Sequence, residues 1–453
     1  MSIKSIKQIL EGYKKGDFTP VDIAEECIEK SQKYSSYESW EVFNPDIILN
    51  QAKIATERIK QGVPFRKLEG IPVAVKDIYN TVDFPTQMGS SLWKDFTPGN
   101  DARVVYNLKQ AGAIIAGKTV TAEFAVHELN KTLNPYDITK TPGTSSSGSA
   151  VAVALNLVPA ALGTQTAASI TRPASFCGIY GCKPSFGTIP RTGMLKTTDT
   201  LDTVGFFSVF AEDLELMFDV LRVHGPNYPF VYKNFNDYNR QNKSPNRPWK
   251  IAFVKTYVWE FAEDYAKESI LKFVNELSNT EDVIIEEVEL PKQMSKAHEI
   301  HETIYDKSLS YYFEGESRYS DEISIIMNKM INKGKSISIN QYHKMLDEQT
   351  NLCHTMDEFM QDYDVIISLS TASDAPQRGI FEKPDTGLIW TLTHLPSVSV
   401  PLFASPSNLP FGLQITSRRY NDLLMFKLIN YLAEKELIPK YGTMNDFKSK
   451  TVV

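Results

Sequence analysis

Cysteine and histidine are scarce in this chain, with four and seven among 453 residues. Cys27, Cys177, Cys182 and Cys353 follow neither a disulfide framework nor a zinc spacing. Cys177 and Cys182, in FCGIYGCKP, do not form a CxxC pair, and no histidine stands near them at metal-ligand spacing. They read as core thiols in a reducing compartment, most simply the cytoplasm. No apolar run approaches about eighteen residues, and MSIKSIKQILEGYKKG has no hydrophobic segment behind its lysines, so neither a membrane span nor a secretory leader is expected. Basic runs interleaved with aromatics are also missing. With 48 basic against 55 acidic residues and a net charge of −7, a nucleic-acid partner is not expected.

What the chain does have is enough apolar sequence, 42%, for a substantial core. Helical spacing predicts amphipathic helices at Ile3–Tyr13, Pro20–Tyr34 and Pro45–Gln61, the last turning Ile47, Ile48, Ala52, Ile54 and Ala55 inward. A strand at Ile71–Val75, a helix at Arg103–Gln110 and a strand at Ala113–Gly117 follow. Beyond a loop-rich segment after Pro184 come a helix at Ala211–Arg222 and a surface excursion, 225–250, rich in Asn, Pro and Tyr. A βαβ pattern resumes with Lys250–Val254, Ala262–Leu277 and Val283–Val288, then a mostly helical region, 292–359. There Tyr311, Tyr312, Phe313, Met327 and Met330 either belong to the core or line an apolar cavity. Strands at Asp364–Leu369, in WTLTHLPSVSVPLF and in LPFGLQIT, and a helix at Leu423–Glu434, complete the pattern. The expected fold is α/β: a single large domain, 1–453, with a mixed, twisted central sheet covered by helices on both faces. N-terminal helices (3–61), a core (62–222), the excursion and the variable helical region subdivide it.

Chemistry concentrates in Thr141–Pro184, where two small-residue loops, around Ser145 and Ser169, flank an apolar segment of small side chains. A flexible linker would not run straight into AVAVALNLVPAAL, which must be buried as a helix near Ala150–Leu157 and a strand near Ala160–Gly163. Small neighbours let backbone N–H groups approach a ligand, as an oxyanion site requires. None of the seven histidines lies in either loop, and His127 and His394 are the nearest recruits, so a Ser–His relay has no evident base. Lysine supplies one instead. Lys76 emerges from a buried strand, where it is either paired with Asp77 or held neutral, and a neutral lysine beside a hydroxyl is a general base. Lys118 is a second candidate without a hydroxyl cluster near it in sequence.

These residues carry a resemblance to the amidase signature family. GIPVAVKD (Gly70–Asp77), PGTSSSGSAVAVA (Pro142–Ala154) and GTQTAASITRPASFCGIYGCKPS (Gly163–Ser185) match its motifs, as do LDTVGFF (Leu201–Phe207) and LPFGLQI (Leu409–Ile415). The resemblance covers nearly the whole chain. It implies an amide hydrolase with Lys76 as base, Ser145 as bridging serine in a cis peptide, Ser169 as acyl-forming nucleophile, and backbone N–H groups of Thr166, Ala167, Ala168 and Ser169 as oxyanion hole. Arg172 matches an arginine that in some members recognises a substrate carboxylate; its other role would be to hold the loop through a buried acid. Gln165, assigned with it to substrate binding, stands where many members carry Asp, which places the chain in the Gln-type branch of malonamidase-like, small-molecule amidases.

The chain also departs from the pattern: Thr144 and Ser147 replace glycines, and Ala168 replaces the glycine before the nucleophile. If residue 168 needs a positive φ, alanine costs about 1 kcal/mol there. The leading expectation is hydrolysis of a small or medium carboxamide, with ester cleavage open to the same relay. An amidotransferase subunit passing ammonia to a partner is disfavoured by Gln165 and the missing glycines, and an inactive scaffold by the intact Lys76, Ser145 and Ser169. Neither cofactor nor metal enters this reading. The expected partners are the small-molecule amide and, at most, a second copy of the chain as a homodimer.

Overall fold

Three capped helices open the chain in a computed structural model that describes residues 3–225, 245, 247–380 and 382–444. Helix α1 (Ile6–Lys15) begins with a Ser5/Gln8 capping box, α2 (Pro20–Lys33) with the expected Thr19 cap and Pro20, and α3 (Pro45–Lys60) with Asn44. Ile54 departs from expectation. It is 64% exposed, because α3 buries Ile48, Ala52, Ala55 and Thr56, and a rotation of about 100° per residue carries position 54 away from that stripe.

The described strands form one eleven-stranded mixed sheet. They are β1 (Trp40–Val42), β2 (Pro72–Lys76), β3 (Ile114–Thr119), β4 (Ala160–Gln165), β5 (Tyr180–Lys183), β6 (Thr203–Ser208), β7 (Trp249–Phe253), β8 (Val283–Glu287), β9 (Val365–Leu369), β10 (Ser397–Ala404) and β11 (Pro410–Ser417). Their order is β1-β3-β2-β4-β6-β5-β10-β11-β9-β7-β8. Strands β3, β2 and β4 run parallel, as do β9, β7 and β8, while β6, β5, β10 and β11 join the two groups by antiparallel pairing. The remaining helices are α4 (Arg103–Gln110), α5 (Ser147–Ala154), α6 (Thr171–Cys177), α7 (Asp213–Leu221), α8 (Asp264–Ser278), α9 (Ala297–Tyr312), α10 (Ile325–Ser336), α11 (Ile339–Phe359), α12 (Gly387–Leu392) and α13 (Asp422–Glu434).

Alternation along β2 shows how the sheet separates its faces. Val73 and Val75 enter an apolar core with residues of α1, α4, α7 and α13, whereas Ala74 enters another with α5. A third core joins Ala252 and Ile366 to residues of α9–α12. Phe313 and Met327 are buried in that core and Met330 packs against it, whereas Tyr311 is an exposed residue whose hydroxyl, like that of Tyr312, bonds to Asp199. Of the five, all but Tyr311 thus follow the core reading, Tyr312 packing against the cluster as Met330 does.

Three sequence expectations change. The segment after Pro184, expected as loop, contains β6 at the middle of the sheet; its glycine and threonines mask a strand that is buried throughout. WTLTH is not strand but the end of α12 and its exit turn, and the strand begins at Ser397. The loop expected around Ser169 ends at Thr171, where the short helix α6 begins. The 225–250 excursion lies largely outside the described residues.

Helix α5 starts at Ser147, inside the serine run and three residues before the expected position. It can approach the sheet because Gly148 has no side chain: a Cβ there would lie 2.5 Å from both the Ser39 carbonyl oxygen and the Val120 amide nitrogen. Both obstacles are backbone and cannot rotate away. Gly148→Ala is expected to destabilise the protein by at least about 1–3 kcal/mol, seen as a lower denaturant midpoint; an unchanged midpoint would show that α5 has room to shift.

Candidate active site

Residues 74 and 76 share one face of β2, so the small Ala74 lets α5 approach and the next residue on that face, Lys76, reaches the serine run. Lys76 is fully buried, and its Nζ lies 2.8 Å from Ser145 Oγ, 3.0 Å from Ser146 Oγ and 2.9 Å from Thr164 Oγ1. Among the described residues no carboxylate is in contact with it. Burial therefore pushes its pKa well below the ordinary lysine value, with the more distant Asp202 charge opposing. Ser146 spends its own proton on the Thr164 carbonyl, 3.1 Å away, and so accepts from Lys76. In the neutral amine the lone pair is left for the hydroxyl of Ser145 or Thr164. The peptide between Thr144 and Ser145 is cis.

Asp77, the alternative partner for Lys76, is taken by Lys118 at 2.9 Å. Lys118 also reaches the Tyr79 and Pro85 carbonyls and Thr86 Oγ1, so its Nζ is fully engaged beside the site. Burial raises the Asp77 carboxyl to about 6 even with Lys118 opposing.

Ser169 lies between β4 and α6. Among the described residues its hydroxyl makes no hydrogen bond, and the N–H groups of Thr166, Ala167, Ala168 and Ser169 find no acceptor. The carbonyls of residues 166–168 are all engaged. Thr166 O bonds to His301 Nε2 at 2.8 Å, Ala167 O accepts from Thr391 Oγ1 at 2.7 Å, and Ala168 O accepts from the Arg172 N–H at 2.9 Å. Thr166 Oγ1 is tied to Asp202 at 2.8 Å, and Asp202 also accepts from the N–H groups of Thr197 and Thr198. The outcome is a run of four free donors beside an unbonded hydroxyl, an arrangement suited to stabilising an oxyanion.

Gln165 occupies a different place from the substrate-facing one expected. Its Oε1 accepts from the N–H groups of Ile170 and Thr171, both at 3.0 Å, and its Nε2 donates to Thr391 Oγ1. The side chain thus ties the loop after Ser169 to α12. Arg172 is also engaged: its Nε donates to Asp385 at 2.7 Å, and its Nη1 donates to Glu382 and to Thr144 Oγ1. Burial lowers the Arg172 pKa, but the two carboxylates outweigh that and hold it above the ordinary value. Thr144, in place of a glycine, adds its hydroxyl to this cluster.

His301, Thr391 and Asp202 do not stand out in the sequence. Only Asp202 carries a signal, its place in LDTVGFF; His301 and Thr391 lie on helices, and nothing local marks them. His127 is half-buried near Arg172 and held at about 4, mainly by desolvation, and His394 bonds to the Thr200 carbonyl. Among the described residues no group of three His, Cys, Asp or Glu side chains is arranged to hold a metal, and no helix is long and apolar enough to cross a membrane.

Ala168 does not adopt a positive φ, so the strain considered for alanine does not arise. Its methyl group is accommodated from the far side: a Cβ on Gly387 would lie 2.6 Å from Ala168 Cβ and 2.6 Å from Thr171 Oγ1. Gly387→Ala is expected to displace the Ser169 loop and lower kcat/KM about 10-fold or more. Adding Ala168→Gly should recover part of the loss, and steady-state kinetics showing full activity in Gly387→Ala would disprove the packing argument.

Comparison with known proteins identifies the family and the fold. The family model described as Amidase matches residues 22–426. Similar curated proteins include a glutamyl-tRNA(Gln) amidotransferase subunit of Alkaliphilus metalliredigens, 28% identical with 96% of each chain covered. The subunit of the same name from Coxiella burnetii is 34% identical over 60% of this chain and 57% of its own. Among solved structures, the peptide amidase of Stenotrophomonas maltophilia superposes with a TM-score of 0.81 at 21% identity, covering 97% of this chain and 98% of that one. The corresponding glutamyl-tRNA(Gln) amidotransferase subunit from Thermotoga maritima gives 0.74 at 22%, covering 92% and 91%. At these identities the structural likeness establishes the fold alone. With the family model spanning most of its length, the chain belongs to the amidase family and is an enzyme that hydrolyses amide bonds.

Proposed function

We propose that Lys76, Ser145 and Ser169 form a proton relay that releases ammonia from a small primary carboxamide through an acyl-Ser169 intermediate, and that the chain serves as the ammonia-producing subunit of an amidotransferase. The chemistry rests on one observation: a buried lysine without a carboxylate partner, 2.8 Å from Ser145, in the site where four free N–H groups adjoin Ser169. Neutral Lys76 takes the Ser145 proton, Ser145 takes that of Ser169, and Ser169 Oγ attacks the amide carbon. The developing oxyanion meets the N–H groups of residues 166–169. Collapse breaks the C–N bond while the relay returns a proton to the departing nitrogen. Water then attacks the acyl ester by the same route, giving the carboxylic acid and free Ser169. The relay requires Ser169 Oγ to come within hydrogen-bond reach of Ser145 Oγ in the substrate complex.

The use of the ammonia is supported by the curated relatives, of which one named for an amidotransferase matches over 96% of both chains. Gln165 no longer weighs against it, since its side chain is spent on backbone N–H groups and Thr391. A second reading, a free-standing amidase for a neutral or cationic small amide, is favoured by the Arg172 cluster. There Glu382 and Asp385 already bracket the guanidinium, so a carboxylate-bearing amide meets two negative charges and one positive.

Ammonia release from glutamine, asparagine and neutral primary amides by the purified chain separates these readings. Glutamine turnover that rises on adding a co-purifying acceptor-activating protein supports the first; turnover of neutral amides alone supports the second. Ser169→Ala and Lys76→Ala should each cost at least about 10³-fold, and activity surviving Ser169→Ala would defeat both.

The pH profile tests Lys76 separately. Its neutral form is the base, so kcat/KM should rise with pH through the lowered Lys76 pKa and level off above it. The Asp202 charge raises that pKa, so Asp202→Asn should move the acid limb to lower pH whatever it does to the plateau. A limb that stays in place would remove Lys76 as its origin.

A further inference from the structure

Oxyanion donors stabilise charge only when they are aimed before the reaction begins. A backbone N–H is aimed by the carbonyl of the preceding residue, because both lie in one peptide plane and point in opposite directions. Anchoring the Thr166 carbonyl therefore sets the Ala167 N–H, anchoring the Ala167 carbonyl sets the Ala168 N–H, and anchoring the Ala168 carbonyl sets the Ser169 N–H.

Two of these anchors come from outside the nucleophile segment. The Ala168 carbonyl is held locally by the N–H of Arg172. The Thr166 carbonyl is held by His301 of α9, which is 135 residues further along the chain, and the Ala167 carbonyl by Thr391 of α12, whose single hydroxyl proton also faces the Gly387 carbonyl at 2.9 Å, against 2.7 Å to Ala167. His301 is buried, and its ring packs near that of Tyr305, with centroids 5.7 Å apart. Burial pushes its pKa down to about 4, so it is neutral near pH 7. A carbonyl can only accept, so the Nε2 facing it carries the ring proton. That tautomer is a donor toward the loop, and the proton is committed to backbone rather than to the reacting groups.

We propose that His301 is a positioning residue of the amidase reaction: by donating Nε2–H to the Thr166 carbonyl it turns the Ala167 N–H toward the oxyanion. Thr391 does the same for the Ala168 N–H. The inference rests on the assignment of Ser169 as nucleophile and extends it to helices that carry none of the family's motifs. It also gives the 292–359 region a part in the chemistry. A change in α9 that shifts His301 by a fraction of a hydrogen-bond length alters the oxyanion site with no change to Lys76, Ser145 or Ser169.

The test uses a fluorophosphonate, whose reaction with a serine develops charge on a phosphoryl oxygen, so no natural substrate is needed. His301→Gln keeps an N–H donor at a similar reach, His301→Met fills similar space without one, and Thr391→Val removes a hydroxyl without changing shape. Maximal labelling rate and half-saturating probe concentration are measured for each folded variant, with mass spectrometry locating the label. His301→Met and Thr391→Val should lower the maximal rate about 10–100-fold with little change in half-saturation, and His301→Gln should stay within a few-fold of the parent protein. If His301→Met does not fold, Thr391→Val and His301→Gln carry the same comparison. Equal maximal rates for donor-bearing and donor-lacking variants would overturn the positioning role. Labelling that persists in Ser169→Ala would instead overturn the nucleophile assignment.

Discussion

The site depends on an amine held inside the protein with, among the described residues, no negative charge in contact. Lys76 ends a strand buried on both sides, and it is surrounded by hydroxyls: Ser145, Ser146 and Thr164. Hydroxyls satisfy its hydrogen-bonding capacity without repaying the cost of burying its charge, so the neutral form is favoured. Lys118, one strand away and equally buried, shows the opposite solution. Asp77 contacts it directly, and burial lowers its pKa against that pairing. Two lysines on neighbouring parallel strands thus receive different work from the position of a single carboxylate.

Everything around Lys76 is arranged to bring backbone close. Ala74 precedes it on the same face, Gly148 lets α5 sit against Ser39 and Val120, and Gly387 makes room for the methyl of Ala168. Ser149 donates to the Leu162 carbonyl and meets Thr119, binding the helix to β4 and β3. The serine run is therefore divided by geometry: Ser146 and Ser149 tie α5 to the sheet, Ser147 accepts from Asn130, and Ser145 is left facing the amine. On the other side of Ser169, Gln165, Thr391, His301 and Asp202 consume the polar groups of the loop that would otherwise compete for its N–H donors.

Much of the fold is legible in the sequence because its signals are local. Thr19 followed by Pro20 starts α2 as a cap and a first-turn proline should, and apolar runs mark β2, β3, β4 and β9. Strand β6 escapes such a reading because Thr203 and Gly205 resemble loop sequence. Gly205 is required there by the Cys182 carbonyl, which leaves no room for a Cβ, a contact made across the sheet. WTLTH misleads because a short buried helix and a buried strand share the same composition.

Short stretches of sequence suffice for the class of fold, the chemical types at the site and the identity of the three residues proposed to carry the relay. Lysine after a buried strand and hydroxyls in glycine-bracketed loops are properties of short stretches. Tertiary structure decided which partner each polar group has. It gave Asp77 to Lys118, Gln165 to the backbone, Arg172 to Glu382 and Asp385, and the carbonyls of Thr166 and Ala167 to His301 and Thr391. The physical reason is that a buried polar group must be satisfied, and the group that satisfies it is set by distance in space rather than distance along the chain.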